Sequence, residues 1–216
     1  MYPTARPIVA VALCWLCAVS GVAQVTNLRA TQIDNSSVPE LRGFDTYDVT
    51  IDFVGEYSSS QILLTLDQGT LFQVGGDTPP SEVFLDLAPE TEFDTFFAQG
   101  GATAETTVGS LIVGAGGGPV NIDETLVGIV ITDTRLQADF GPSGSDEITD
   151  QTDFLVARIS LSNGIGNTAA FGNLAYLGVA NGDSSLFQFS ILPEPASGLL
   201  LVASLIAGTA RRKHRP

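Results

Sequence analysis

Histidine, lysine, cysteine and tryptophan are nearly missing from this chain of 216 residues, and the few copies it has lie at its two ends. The single His is His214, the single Lys is Lys213, the single Trp is Trp15, and the cysteines are Cys14 and Cys17. Between Gln24 and Leu192 none of the four occurs. That absence excludes whole classes of chemistry. Without His or Cys there is no Ser-His-Asp or Cys-His nucleophile, no histidine- or thiolate-bound zinc, and no disulfide. Without Lys there is no Schiff base. Tyr47, Tyr57 and Tyr176 are the only tyrosines in the same stretch, so aromatic platforms for sugar rings are scarce. Carboxyl groups remain as acids and bases, but with 23 of them some pair falls at glycosidase spacing by chance, and none is singled out. No catalytic residue is expected, and the chain reads as a non-enzyme.

Positive charge is equally scarce where it matters. Arg6 lies near the N-terminus, and Arg211, Arg212, Lys213 and Arg215 crowd the last six residues. Gln24–Leu192 keeps only Arg29, Arg42, Arg135 and Arg158 against 23 acidic residues, a net charge of −19. Such a surface repels phosphate backbones, so nucleic acid is excluded as a partner. It favours divalent cations instead. The densest acidic stretch holds Asp146, Glu147, Asp150 and Asp153, hard oxygen donors of the kind Ca²⁺ takes. The spacing is not that of an EF-hand. A solvated acidic loop is the other reading of the same residues, and no further cofactor is expected. Gly114-Ala115-Gly116-Gly117-Gly118 is glycine-rich like a phosphate cradle, but no Lys-Ser/Thr follows, so it reads as a turn.

Alternation with period two dominates the middle of the chain. In Tyr47–Phe53 every odd position is apolar and every even one polar, which makes a strand with one greasy and one wet face. Val83–Leu87, Leu155–Leu161 and Phe187–Ile191 read the same way. Val25–Thr31, Gln61–Leu66, Thr70–Val74, Phe93–Phe97, Val108–Val113, Leu126–Thr132 and Gly172–Val179 are further strand candidates. Turn clusters such as Asp67-Gln68-Gly69, Ser162-Asn163-Gly164 and Asn181-Gly182-Asp183 separate them. Phe140–Asp153 reads as a long loop. No stretch of twelve residues has helical periodicity. About ten short strands in one domain, residues 24–192, predict an all-β fold, a single jelly-roll-like β-sandwich.

The ends have a different composition. Met1–Ala23 has the layout of a secretory signal, with Arg6, a short apolar core Ile8–Val19, and the small-residue exit Gly21-Val22-Ala23. Signal peptidase cleavage is expected between Ala23 and Gln24, and it removes both cysteines. At the other end Pro193-Glu194-Pro195 precedes the uncharged stretch Ala196–Ala210, which the cluster Arg211, Arg212, Lys213 and Arg215 closes. The prolines cannot extend a helix, the apolar run partitions into lipid, and the cations hold its end on the cytoplasmic side as a stop-transfer signal. Fifteen residues span roughly 22 Å as a helix, short of the roughly 30 Å hydrocarbon core.

This three-part arrangement over residues 193–216 resembles the PEP-CTERM sorting signal of exopolysaccharide-producing bacteria. The resemblance implies recognition of Pro193, Glu194 and Pro195 by an exosortase, a membrane-embedded transpeptidase-like protease. The apolar segment would then be a temporary transmembrane helix. Leu192-Pro193 also opens like a sortase signal, but Pro195 stands where that pattern has Thr. The expected product is an exported, non-catalytic cell-surface or extracellular-matrix protein, first an inner-membrane precursor and then deployed beside exopolysaccharide or in a biofilm. A carbohydrate-binding or carbohydrate-active module delivered by the same route is the alternative.

Overall fold

The computed structural model describes residues 24–108, 110–113, 122, 128–143 and 147–191. The expected signal segment 1–23, the glycine-rich stretch 114–121, Asp146, and residues 192–216 with the expected sorting tail lie outside the described residues. What is described is mostly antiparallel β-sheet, as the alternation requires: β1 (Val25–Ile33), β2 (Phe44–Gln68), β3 (Phe96–Gly100), β4 (Ser110–Val113), β5 (Val130–Thr132), β6 (Arg135–Ser143), β7 (Thr149–Ser162), β8 (Phe171–Ala180) and β9 (Asp183–Ile191).

One strand organises the rest. Tyr47–Phe53 and Gln61–Leu66 are not two strands but parts of β2, which is 25 residues long. Its first half pairs with β1 on one side and β7 on the other, and β3 extends β7. Its second half pairs with β6 and β8, which carry β4, β5 and β9. The exchange of partners falls at Glu56 and Tyr57, next to Gly55 at φ 83°, a conformation that only glycine enters without strain. The apolar phase changes there too. Val49, Ile51, Phe53 and Tyr57 are buried at odd positions, and Ile62, Leu64 and Leu66 at even ones. An irregularity in pairing between Tyr57 and Ser59 supplies the one-residue slip that keeps both sets on the core side.

The main core is common to both halves. Val25, Leu28, Ile51, Phe53 and Phe154 pack with Ile62, Leu64, Leu136, Phe140 and Tyr176. Phe53, Tyr57 and Phe154 form an aromatic trio with ring centroids 5.3–5.4 Å apart. Inside it Tyr57 Oη donates to Ser60 Oγ at 2.7 Å, and Ser60 also meets the Tyr176 hydroxyl. Burial raises the pKa of both tyrosines, so the hydroxyls stay neutral. The second half of β2 is thereby tied to β8 by a satisfied polar knot within an apolar surround.

Several sequence expectations are corrected. Val83–Leu87 is not a strand: α1 spans Glu82–Leu87, with Ser81 as its cap accepting from the Phe84 N–H at 3.3 Å. A Ser directly before an acidic residue is an N-terminal helix signal, and here no neighbouring strand competes with it. Thr70–Val74 makes only one bridge, Leu71 to Leu161, because the Asp94 carboxylate takes the N–H groups of Val74 and Gly75 (3.0 and 2.6 Å). Pro89–Phe93 is a 3-10 turn, and the strand expected over Phe93–Phe97 starts at Phe96. Of the strand expected over Leu126–Thr132, Val130–Thr132 is strand, Gly128 and Ile129 are not, and Leu126 and Val127 lie outside the described residues. Phe140–Asp153 is not one long loop, since β6 runs to Ser143 and β7 begins at Thr149. The turn at Asn181-Gly182 is as expected. Both residues have positive φ (48° and 79°), the two-residue hairpin geometry that Asn-Gly favours.

Candidate functional site

The acidic segment is the sequence-predicted site that the structure partly describes. Glu147 is exposed just ahead of β7. Asp150 and Asp153 lie in the first turns of β7 as bulged strand residues with φ 49° and 55°, where the pairing of β7 with β2 slips. Asp tolerates that left-handed geometry better than most residues. The slip turns the two carboxylates to separate tasks. Asp150 Oδ1 accepts the N–H of Gly55 at 2.7 Å, at the point where β2 changes partners. Asp153 Oδ1 meets Arg29 Nη2 of β1 at 2.6 Å. Among the described residues, no group of three or more acidic side chains is placed to hold a metal ion.

Sequence reading missed Arg29 and Asp52 as members of this cluster. Arg29 Nη2 bridges Asp153 to Asp52 of β2, and Asp52 also accepts the Asp153 N–H at 2.9 Å and an Asn27 amide N–H at 3.3 Å. Burial works to raise the Asp52 pKa, but the Asp153 N–H, Arg29 and Asn27 outweigh it, and the net direction is down. Asp52 was visible as a polar position of the Tyr47–Phe53 alternation. Its partners were not, because Asp153 lies 101 residues away.

A second arginine is used differently. Arg158 of β7 is buried, and its guanidinium holds Asp48 of β2 through two bonds, Nε to Oδ1 at 2.6 Å and Nη2 to Oδ2 at 2.9 Å. Its Nη1 donates to the Glu92 carbonyl at 2.5 Å, and the group stacks over Phe96 at 5.6 Å. The 3-10 turn Pro89–Phe93 is thereby fastened across the outer face of β7. Both arrangements are frameworks of carboxylate and guanidinium; neither opens a cleft with a free nucleophile.

The ends of the described body lie close in sequence to both expected processing points. β1 begins at Val25, immediately after Gln24, whose carbonyl accepts the Val54 N–H at 3.2 Å. β9 ends at Ile191, two residues before Pro193. Ala23, Pro193, Glu194, Pro195 and the basic cluster Arg211, Arg212, Lys213 and Arg215 lie outside the described residues. Among the described residues no helix is long and apolar enough to cross a membrane. No protein-family model, curated protein or solved structure matches the chain.

Proposed function

We propose that this chain is an exported, non-catalytic surface or matrix protein whose C-terminal tail is a sorting signal removed by an exosortase-type protease. The observation that carries the reading is the order of parts after the body: Pro193-Glu194-Pro195, the uncharged stretch Ala196–Ala210, then four cations. The stretch is marginal as a permanent anchor, being short and diluted by Ser197, Gly198, Ser204, Gly208 and Thr209. A chain that pauses in the bilayer while a protease reads its flank needs no longer span. The body suits a structural role beside exopolysaccharide: it is strongly acidic, free of cysteine and lysine, and rich in antiparallel sheet. Two sheets that share β2 and meet over one core support the finer description of a jelly-roll-like β-sandwich. In this reading the carboxylates of Asp52, Asp150 and Asp153 set backbone geometry and hold no ligand.

The test is the mature C-terminus by intact mass, read together with the cell fraction. Wild-type protein is expected at the surface or outside the cell without Arg211–Pro216. Glu194→Ala is expected to insert normally, since insertion depends on Ala196–Ala210 and the cations, but to accumulate as membrane-bound precursor. A wild-type protein that keeps its basic end at the surface, with Glu194→Ala behaving identically, overturns the reading.

A further inference from the structure

β9 is the last described strand, and its hold on the body differs from that of every strand it touches. Among the described strands it pairs with β8 alone, along Asp183–Ile191, and none of its nine residues is buried. Phe187, Phe189 and Ile191 lean on the core without being enclosed by it. β8 is fixed on its other side to β2, with Leu174, Tyr176, Leu177 and Val179 buried. At Gly172, the register partner of Ile191, the backbones of β8 and β2 come so close that a Cβ would stand 2.1 Å from the Thr65 carbonyl oxygen. The boundary between fixed and releasable chain therefore runs between β8 and β9.

Only Leu192 separates Ile191 from Pro193, and the four residues Leu192–Pro195 reach at most about 14 Å when fully extended. A protease that takes its substrate as an extended strand makes main-chain bonds to several residues upstream of the bond it cuts. Here those residues are Phe189, Ser190 and Ile191, opposite Leu174, Asn173 and Gly172 of β8. Alternate residues direct their N–H and C=O at β8, so a cleft that grips both edges of the chain needs groups already in use. The same backbone groups cannot serve both partners. Resting on the sorting reading above, we propose that the C-terminal half of β9 is the upstream recognition strand of the processing protease, and that it must leave β8 before Pro193-Glu194-Pro195 is engaged. The edge strand is thus a gate on sorting. Where opening is fast compared with cleavage, the rate of tail removal follows the open population.

The test locks the gate covalently. Asn173 and Ser190 are register partners, both exposed, with Ser190 Oγ 3.2 Å from Asn173 Oδ1. No cysteine lies between Gln24 and Leu192, so the pair Asn173→Cys and Ser190→Cys has no competitor for oxidation after export. The full chain would be expressed in a host that carries the processing protease and followed by pulse–chase and intact mass. Oxidised, the double variant is expected to lose its tail more slowly than wild type by on the order of tenfold. The same protein kept reduced should be processed at the wild-type rate. Six Gly/Ser residues inserted between Leu192 and Pro193 should restore fast processing to the oxidised form, because the protease then has free chain to grip. Processing of the oxidised variant at the wild-type rate, with the disulfide verified, overturns the gate and leaves the sorting reading standing. Retention of Arg211–Pro216 by the wild type overturns both.

Discussion

Arg158 of β7 and Arg29 of β1 both face a carboxylate of β2, yet they do different things. Arg158 is enclosed: its side chain is 6% exposed and that of Asp48 22%. Arg29 is 38% exposed, and its second partner Asp153 is 76% exposed. An enclosed guanidinium that lost its carboxylate would leave a charge in a poorly solvated place, whereas an exposed one would return to water. Burial, more than the number of ion pairs, decides what a salt bridge contributes in this acidic protein.

The largest effect should follow from breaking the enclosed pair. Arg158→Ala strands Asp48, frees the Glu92 carbonyl and uncovers Phe96, and a loss of about 3–5 kcal/mol is expected in urea unfolding. Replacing both partners by apolar residues, Arg158→Met with Asp48→Leu, should recover most of that loss. A double variant as unstable as the single one would mean that the pair is itself a net stabiliser.

Next comes the acid response of Asp52. Its folded pKa lies below the ordinary 3.8, so its contribution is present above pH 3.8 and is lost as pH falls through the lower folded value. Asp52→Asn should cost about 1 kcal/mol at neutral pH, the order of one good hydrogen bond. The difference from wild type should shrink as the pH is taken well below 3.8, with the melting curves converging. A gap that stays constant down to strong acid would assign the effect to packing.

Arg29→Ala should cost less, roughly 0–1 kcal/mol, and the difference should fade in high salt while that of Arg158→Ala persists. Smallest of all is the expected response to Ca²⁺. Asp150 and Asp153 are engaged by Gly55 and Arg29, so the melting temperature should stay unchanged between millimolar Ca²⁺ and chelator. A rise with Ca²⁺ would show that these carboxylates exchange their protein partners for the ion.

How much of this was legible depends on the range of the interaction. The alternation of Tyr47–Phe53 and Leu155–Leu161 and the Asn181-Gly182 turn are local patterns, and local sterics carry them into the fold unchanged. Val83–Leu87 misled because five residues can satisfy a strand pattern and a helical turn equally, and the Ser81 cap settled it. The acidic segment was legible as a cluster but not in its use.

Sequence by itself determined the β class, the exclusion of histidine, thiol and lysine chemistry from residues 24–192, and the three-part order of the tail, because composition and period two need no partner to be read. Only the tertiary structure decided that two expected strands are one, with Gly55 and the slip near Tyr57 moving its core face from odd to even positions. It alone set Arg29 against Asp153, 124 residues apart, and left β9, among the described strands, paired with β8 alone. Pairing across such separations is chosen by which faces can share one core, and no short window of sequence holds both faces.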